Sequence, residues 1–211
     1  MVLSLLHRAT LPIHVRLRAG RCRKAQAVMH PSPSMTLLDV GGTPETGGEF
    51  DSLRALFAEV LVVNPDPRHG AVPMAPNVKF ELGDGCALPY ADESFDWVFS
   101  NAVLEHVGDR DKQVRFAQEM QRVARLGYFL STPNRHFFMD PHTYLPFYHL
   151  LSDHAQAKVI RFSLGHMRQW RPLDLVSAKD LRQMFPSAKV AGMGLFRINL
   201  IAYESRSDGR S

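Results

Sequence analysis

The chain has 211 residues and a formal net charge of +4. That length suits one domain with a sizeable core, and no stretch reaches the roughly 18 apolar residues that a membrane span requires. Charge is uneven: the first 38 residues hold no acid and six bases, Arg8, Arg16, Arg18, Arg21, Arg23 and Lys24, while the remainder sums to −2.

Residues 1–34 therefore read as a basic N-terminal extension. It suits a surface helix that touches anionic lipid or a polyanionic acceptor, a presequence-like leader or an irregular arm. Nucleic-acid binding is not expected, because few aromatics accompany the bases and no recognition motif follows. Two cysteines, Cys22 and Cys86, stand far apart and lack metal-ligand spacing, which favours a reducing, cytoplasmic setting.

The domain is expected over residues 35–211. Met35 to Val40 is an apolar run of the length of a buried parallel strand. A short helix is predicted from Phe50 to Phe57, with Leu53, Leu56 and Phe57 on one face. Glu59 to Val63, Val78 to Glu81 and Phe95 to Ser100 give strands two to four. Asp109 opens an amphipathic helix over Arg110 to Arg125, and Gly127 to Ser131 gives strand five. Ser177 and Asp180 form a capping-box pattern that starts a helix running to Phe185. Lys189 to Gly192 and Phe196 to Tyr203 complete the sheet. Strands alternating with helices imply a mostly parallel sheet covered on both faces.

The loops that leave these strands carry the chemistry. The first strand runs into Asp39-Val40-Gly41-Gly42-Thr43, where glycine permits a sharp turn close to a ligand. No G-x-G-x-x-G spacing occurs here, which excludes a dinucleotide fingerprint. Gly42 and Gly47 have the separation of a phosphate loop, but Gly48 and Glu49 stand where Lys and Ser/Thr are required. The second strand ends in Asn64-Pro65-Asp66, 25 residues after Asp39. A Gly83-Asp84-Gly85 turn follows 45 residues after Asp39, then the acidic turn Asp92-Glu93-Ser94, read as a solvated connection. Asp96 reads as a packing or capping residue. The next strand closes in Asn101-Ala-Val-Leu-Glu-His106.

The run from Leu82 to Val107, together with the upstream turn, resembles the small class I methyltransferases that use S-adenosylmethionine (SAM), of the type 11-like family. The resemblance implies a Rossmann-like α/β fold, with a mostly parallel seven-stranded sheet whose last strand is antiparallel. It implies SAM as cofactor, bound at Asp39, Gly41, Gly42, Asn64 or Asp66, Asp84, Gly85 and Asn101. In that family the Gly-Asp carboxylate holds the adenine amino group, a carboxylate after the second strand takes the ribose, and the fourth strand ends at the sulfonium. Here Thr43 and Glu45 replace the second and third glycines of the family's loop, and Asn64 stands at the ribose position.

Residues 132–170 lie outside the common core and are rich in aromatics and histidines. The segment leaves the C-terminal end of strand five, so it is expected to cover the crevice and form the acceptor pocket. Phe137, Phe147 and Tyr148 read as core of this lid. Similar methyltransferases carry Pro-Asn-Arg and acid-Pro-His at these places. Methyl transfer needs alignment above all, and a hydroxyl acceptor also needs a base. The candidates are His142, Asp140 and His106. No metal is expected, because His142, His149 and His154 lack a compact ligand spacing. The implied activity is methylation of an oxygen of a small molecule or glycan. The alternatives are a quinone-like carbon or amine acceptor, or a SAM-binding protein with degraded catalysis.

Overall fold

The computed structural model describes residues 19–44, 50–140, 142–163, 165, 167, 169–170, 172–194 and 197–206. Seven strands form one sheet: β1 (Thr36–Val40), β2 (Glu59–Asn64), β3 (Val78–Leu82), β4 (Phe95–Asn101), β5 (Ala124–Pro133), β6 (Lys189–Met193) and β7 (Asn199–Ser205). Their order is β3-β2-β1-β4-β5-β7-β6. β1 to β5 pair in parallel, whereas β7 runs antiparallel to both β5 and β6. The sheet expected from the sequence is the one that forms. Its order reverses between β1 and β4, where open α/β sheets place their ligand crevice.

Each central strand is apolar on both sides because helices cover both faces. One face carries α3 (Arg110–Val123) and α5 (Ala178–Met184). Phe116, Ala117, Met120, Leu181 and Met184 pack there on Leu38, Val40, Val98, Tyr128 and Leu130. Asp109 caps α3 through the Lys112 amide, and Ser177 with Asp180 makes the capping box that the sequence indicated.

The other face carries α2 (Asp51–Arg54) and a helix over residues 19–29, α1. Cys22, Ala25, Val28 and Met29 form one stripe of α1, buried against Leu37, Phe50, Leu53, Phe57, Trp97 and Phe99. The sequence reading set residues 1–34 apart from the domain. The second half of that stretch is instead integral to the core. The positive charges misled the reading: Arg23 is exposed, but Arg21 has its Nε buried and its charge reaches Glu105, and the rest of the helix's inner side is apolar. Lys24 sits over the Tyr203 ring, 5.2 Å from its centroid. Arg8, Arg16 and Arg18 lie outside the described residues.

Smaller differences have local causes. α2 is one turn rather than two: Leu53 and Phe57 are buried, but Leu56 is exposed. β5 starts at Ala124, directly from the end of α3, because Arg125 turns back to the Asp96 carboxylate. Asp96 also accepts from the Thr36 amide and hydroxyl, so it ties β4 to β1 and β5 as a packing residue. Among the described residues between β5 and α5 lie two 3₁₀ turns, Tyr148–Leu150 and Ile160–Phe162, and α4 (Asp153–Val159). Tyr148, Ile160 and Met167 form a small core of their own. Of the three aromatics read as lid core, only Tyr148 is buried; Phe147 is exposed. Cys22 and Cys86 are both free thiols. No described helix is long and apolar enough to cross a membrane.

Candidate active site

The loop after β1 is held from within. Gly41 has φ +79°, a left-handed conformation that glycine adopts at little cost. A Cβ there would lie 2.5 Å from the Val103 side chain, beyond the end of β4. Asp39 points inward: its Oδ2 accepts from Arg54 Nε at 3.0 Å and Nη2 at 2.6 Å, and both side chains are buried. Arg54 also donates to the Thr43 carbonyl at 2.8 Å. Asp39 therefore shapes the loop. Its Oδ1, buried without a hydrogen-bond partner among the described residues, remains available to a ligand donor.

Asn64, at the end of β2, donates its amide to the carbonyls of Gly41 at 3.2 Å and Gly42 at 2.9 Å. Its Oδ1 accepts the Asp66 amide at 2.9 Å. The amide side chain is thus a brace across the crevice rim, a task that a carboxylate could not perform because it has no N–H. Asp66 caps the following turn and pairs with Arg68 on the surface. The Arg68 hydrogen bonds hold the Asp66 carboxyl well below the usual range. Of the two ribose candidates, Asp66 is the one with a carboxylate facing outward.

Asp84 is exposed, and its Oδ1 accepts the Cys86 amide at 2.9 Å. Burial, reinforced by the Asp84 charge, pushes the Cys86 thiol up to about 11. Gly85 has a packing role, since a Cβ would fall 2.6 Å from Phe116 and 2.7 Å from Val40. At the end of β4, Asn101 Oδ1 is buried with no hydrogen-bond partner among the described residues. An acceptor of that kind beside a glycine turn fits a donor of the cofactor, such as an amino group. Ala102 follows at φ +55°, so the chain leaves β4 through a left-handed residue. Strain of this kind concentrates at functional sites.

That turn feeds a single 3₁₀ turn, Leu104–His106. It drives Glu105 inward and leaves His106 half-exposed. Gln113 fixes the turn by donating to the carbonyls of Leu104 at 3.2 Å and Asp174 at 2.6 Å. Thr132, near the end of β5, donates its hydroxyl to Glu105 Oε2 at 3.0 Å. The 132–170 segment brings His142 to the same point. His142 Nε2 lies 3.8 Å from Glu105 Oε1, and its Nδ1 lies 3.7 Å from Asp140 Oδ2. The His106 and His142 rings meet edge to face at 5.3 Å.

Burial pushes the Glu105 carboxyl above its usual range, against the opposing pull of the His142 and Arg21 charges and the Thr132 hydroxyl. Burial acts on Asp140 in the same sense. There the hydrogen bonds from His142 and Thr143 win, and the carboxyl is lowered. Asp140 Oδ1 accepts the His142 amide at 3.1 Å, and the Thr143 amide and hydroxyl at 2.8 Å each. Gly165 presses on the back of this turn. A Cβ there would lie 2.1 Å from the His142 carbonyl oxygen.

The three acceptor-side candidates, His106, Asp140 and His142, therefore converge, although 36 residues separate the two histidines. Glu105, Thr132 and Arg54 were missed. Glu105 stood between Leu104 and His106 in the sequence, with no local pattern to mark it as buried. Glu45, Gly47, Gly48, Glu49 and Pro141 lie outside the described residues.

Residues 38–131 match the family model described as a methyltransferase domain. Over 98 residues the chain is 41% identical to an uncharacterized methyltransferase of Mycolicibacterium vanbaalenii, covering 44% of this chain and 36% of that protein. A second uncharacterized methyltransferase, from Mycobacterium avium, is 42% identical over 100 residues with the same coverage. The chain spans little more than a third of the length of these curated relatives. Among solved structures, a SAM-dependent methyltransferase from Aquifex aeolicus has a TM-score of 0.56 at 13% identity, covering 89% of this chain and 90% of that one. Magnesium protoporphyrin IX methyltransferase from Synechocystis with bound SAH has a TM-score of 0.57 at 16% identity, covering 90% and 85%. Likeness at these identities establishes the shared fold.

Proposed function

We propose that the chain is a class I SAM-dependent methyltransferase that transfers a methyl group to a hydroxyl oxygen of a small molecule or glycan. The observation that supports an oxygen acceptor is the buried Glu105–His142–Asp140 group at the C-terminal ends of β4 and β5. SAM supplies a methyl on a positively charged sulfur that departs neutral, so the protein need not activate the donor. A hydroxyl acceptor must lose its proton as it attacks, and that is the task a positioned base performs.

On this reading Gly41, Asp39 Oδ1 and Asn101 Oδ1 line the cofactor side, and Asp84 and Asp66 meet adenine and ribose from the rim. His142 takes the acceptor proton. Asp140, kept ionised below its usual range, faces Nδ1 and stabilises the imidazolium that forms. His106 lines the entrance. Alignment of oxygen, methyl and sulfur supplies the larger share of the rate.

Thr43 and Asn64 depart from the family pattern, yet both are built into the loop through Arg54 and the glycine carbonyls. That argues for an intact cofactor site over a degraded one. The test is formation of the demethylated cofactor over a panel of hydroxyl-bearing small molecules and glycans, with amines and quinones as comparison. His142→Ala should leave SAM affinity within about 0.5 kcal/mol and lower the rate by roughly 10²–10⁴-fold. Turnover confined to amines, or near-normal turnover in His142→Ala, would overturn the reading.

A further inference from the structure

We propose that Glu105, His106 and His142 bind one divalent transition-metal ion at the acceptor end of the crevice. Among the described residues these three side chains offer one ligand atom each, all within 4.8 Å of one another. Glu105 Oε1 is central: it lies 3.8 Å from His142 Nε2 and 3.9 Å from His106 Nε2. Ligands about 2.0–2.2 Å from an ion stand roughly 3 Å apart, so each side chain has less than about 1 Å to close.

A second observation points to a ligand independently of that spacing. The Glu105 side chain is fully buried, and Oε1 has no hydrogen-bond partner among the described residues. A buried carboxylate oxygen left unpaired carries a large desolvation cost. A cation seated between it and two imidazoles would remove that cost.

The surroundings have the form that metal sites require. Ligand histidines and carboxylates are held by outer hydrogen bonds that fix their orientation. Thr132 donates to Glu105 Oε2, leaving Oε1 to point inward. Asp140 Oδ2 stands behind His142 Nδ1 at 3.7 Å, which would turn Nε2 toward the ion. His106 is half-exposed, so solvent reaches this edge of the cluster. Two imidazoles and one carboxylate suit zinc, manganese, cobalt or nickel better than magnesium or calcium, which prefer all-oxygen sets. His149 and His154, grouped with His142 in the sequence reading, stay outside this cluster.

The binding does not depend on the methyl-transfer reading, but its catalytic role does. With the ion present, His142 is a ligand and no longer the base. An acceptor hydroxyl on the ion becomes more acidic and gives its proton to water. Its oxygen then forms the new bond to the methyl carbon, and the carbon–sulfur bond electrons return to sulfur.

The full chain, stripped with chelator and desalted, is titrated calorimetrically with Zn²⁺ and followed by electron paramagnetic resonance with Mn²⁺, without acceptor. One equivalent should bind. Glu105→Gln and His142→Asn should each weaken it by more than tenfold, and Thr132→Val by about tenfold or more. His154→Ala should leave it unchanged. SAM affinity and circular dichroism report folding in each variant. Should the buried substitutions unfold the chain, His106→Ala at the exposed edge carries the test. Absence of stoichiometric binding in the wild type, or binding that survives His106→Ala and Glu105→Gln, overturns the proposal. Binding without turnover on any acceptor would sink the proposed function alone. Chelator-resistant turnover without binding would sink the metal alone.

Discussion

Arg54 places two hydrogen bonds on one oxygen of Asp39, Nε at 3.0 Å and Nη2 at 2.6 Å, with both side chains buried. The acid of the first strand is thereby an internal strut of the loop after β1. Removing one partner of such a pair leaves an uncompensated buried charge. Arg54→Met or Asp39→Asn should each cost about 3–5 kcal/mol of stability. The double variant should lose clearly less than the sum, because neither charge is stranded. Denaturant titration of the four proteins measures this, and additive losses would show that the contact carries no coupling.

Asn64 and Asp66 should separate on two readouts. Asn64→Ala removes the brace across the Gly41 and Gly42 carbonyls, so both the melting temperature and SAM affinity should fall. Asp66→Ala lies on the surface and should weaken SAM binding through the lost carboxylate, with little change in melting. Asp84→Ala should behave like Asp66→Ala. Isothermal titration beside calorimetric melting decides the matter. Full SAM affinity in Asp84→Ala would remove the Gly-Asp turn from the cofactor site.

A chain that starts at Pro31 loses α1. Val28 and Met29 each bury side chains worth about 1.5–3 kcal/mol, and their removal uncovers Leu37 and Phe50 beneath. The expected loss is roughly 3–6 kcal/mol, a large part of a typical domain's stability. Unchanged melting after truncation would show that the helix is dispensable.

The order of strands, the two turns that carry Asp39 and Asp84, and the capping box at Ser177 were legible because each is a local pattern. Parallel strands buried on both faces read as short apolar runs, and capping residues act within one turn. Residues 19–29 were misread because charge dominates their composition while burial follows a stripe of small side chains, Cys22 and Ala25 among them. The cluster around Glu105 was half legible. His106, Asp140 and His142 were visible as residue types, but their meeting depends on how the chain after β5 returns to the 3₁₀ turn after β4. Glu105 was invisible because burial of one acid in a 3₁₀ turn is decided by Gln113 and Thr132, which come from other elements.

Glu105 should leave a signature in acid stability. Burial raises its folded-state value, whereas the unfolded value is about 4.3. A raised carboxyl contributes stability that is complete below the unfolded value and is lost as pH rises through the folded one. Glu105→Gln, which cannot titrate, should therefore gain on the metal-free wild type as pH climbs from about 4 toward neutrality. Asp140 has the opposite sign, being lowered, so its contribution fades only as pH falls below its ordinary range. Melting curves of both proteins across pH 4–8 test this. A difference that stays flat would mean that Glu105 titrates normally.

Gly165 offers a probe of His142 that touches no reacting group. Its amide donates to the Thr143 carbonyl at 2.9 Å, and the Met167 amide donates to the His142 carbonyl at 3.0 Å, so the two strands of this turn are in direct contact. A Cβ on residue 165 would stand 2.1 Å from the His142 carbonyl oxygen. Backbone cannot rotate away as a long side chain can, so Gly165→Ala must push the His142 turn out of place. Overpacking of this kind costs about 1–3 kcal/mol of stability. A displacement near 1 Å at the acceptor end should lower turnover by roughly 10²-fold, with SAM affinity retained because no cofactor-side residue is disturbed. Gly165→Ala with normal turnover would show that His142 tolerates displacement, and so acts neither as a positioned base nor as a metal ligand.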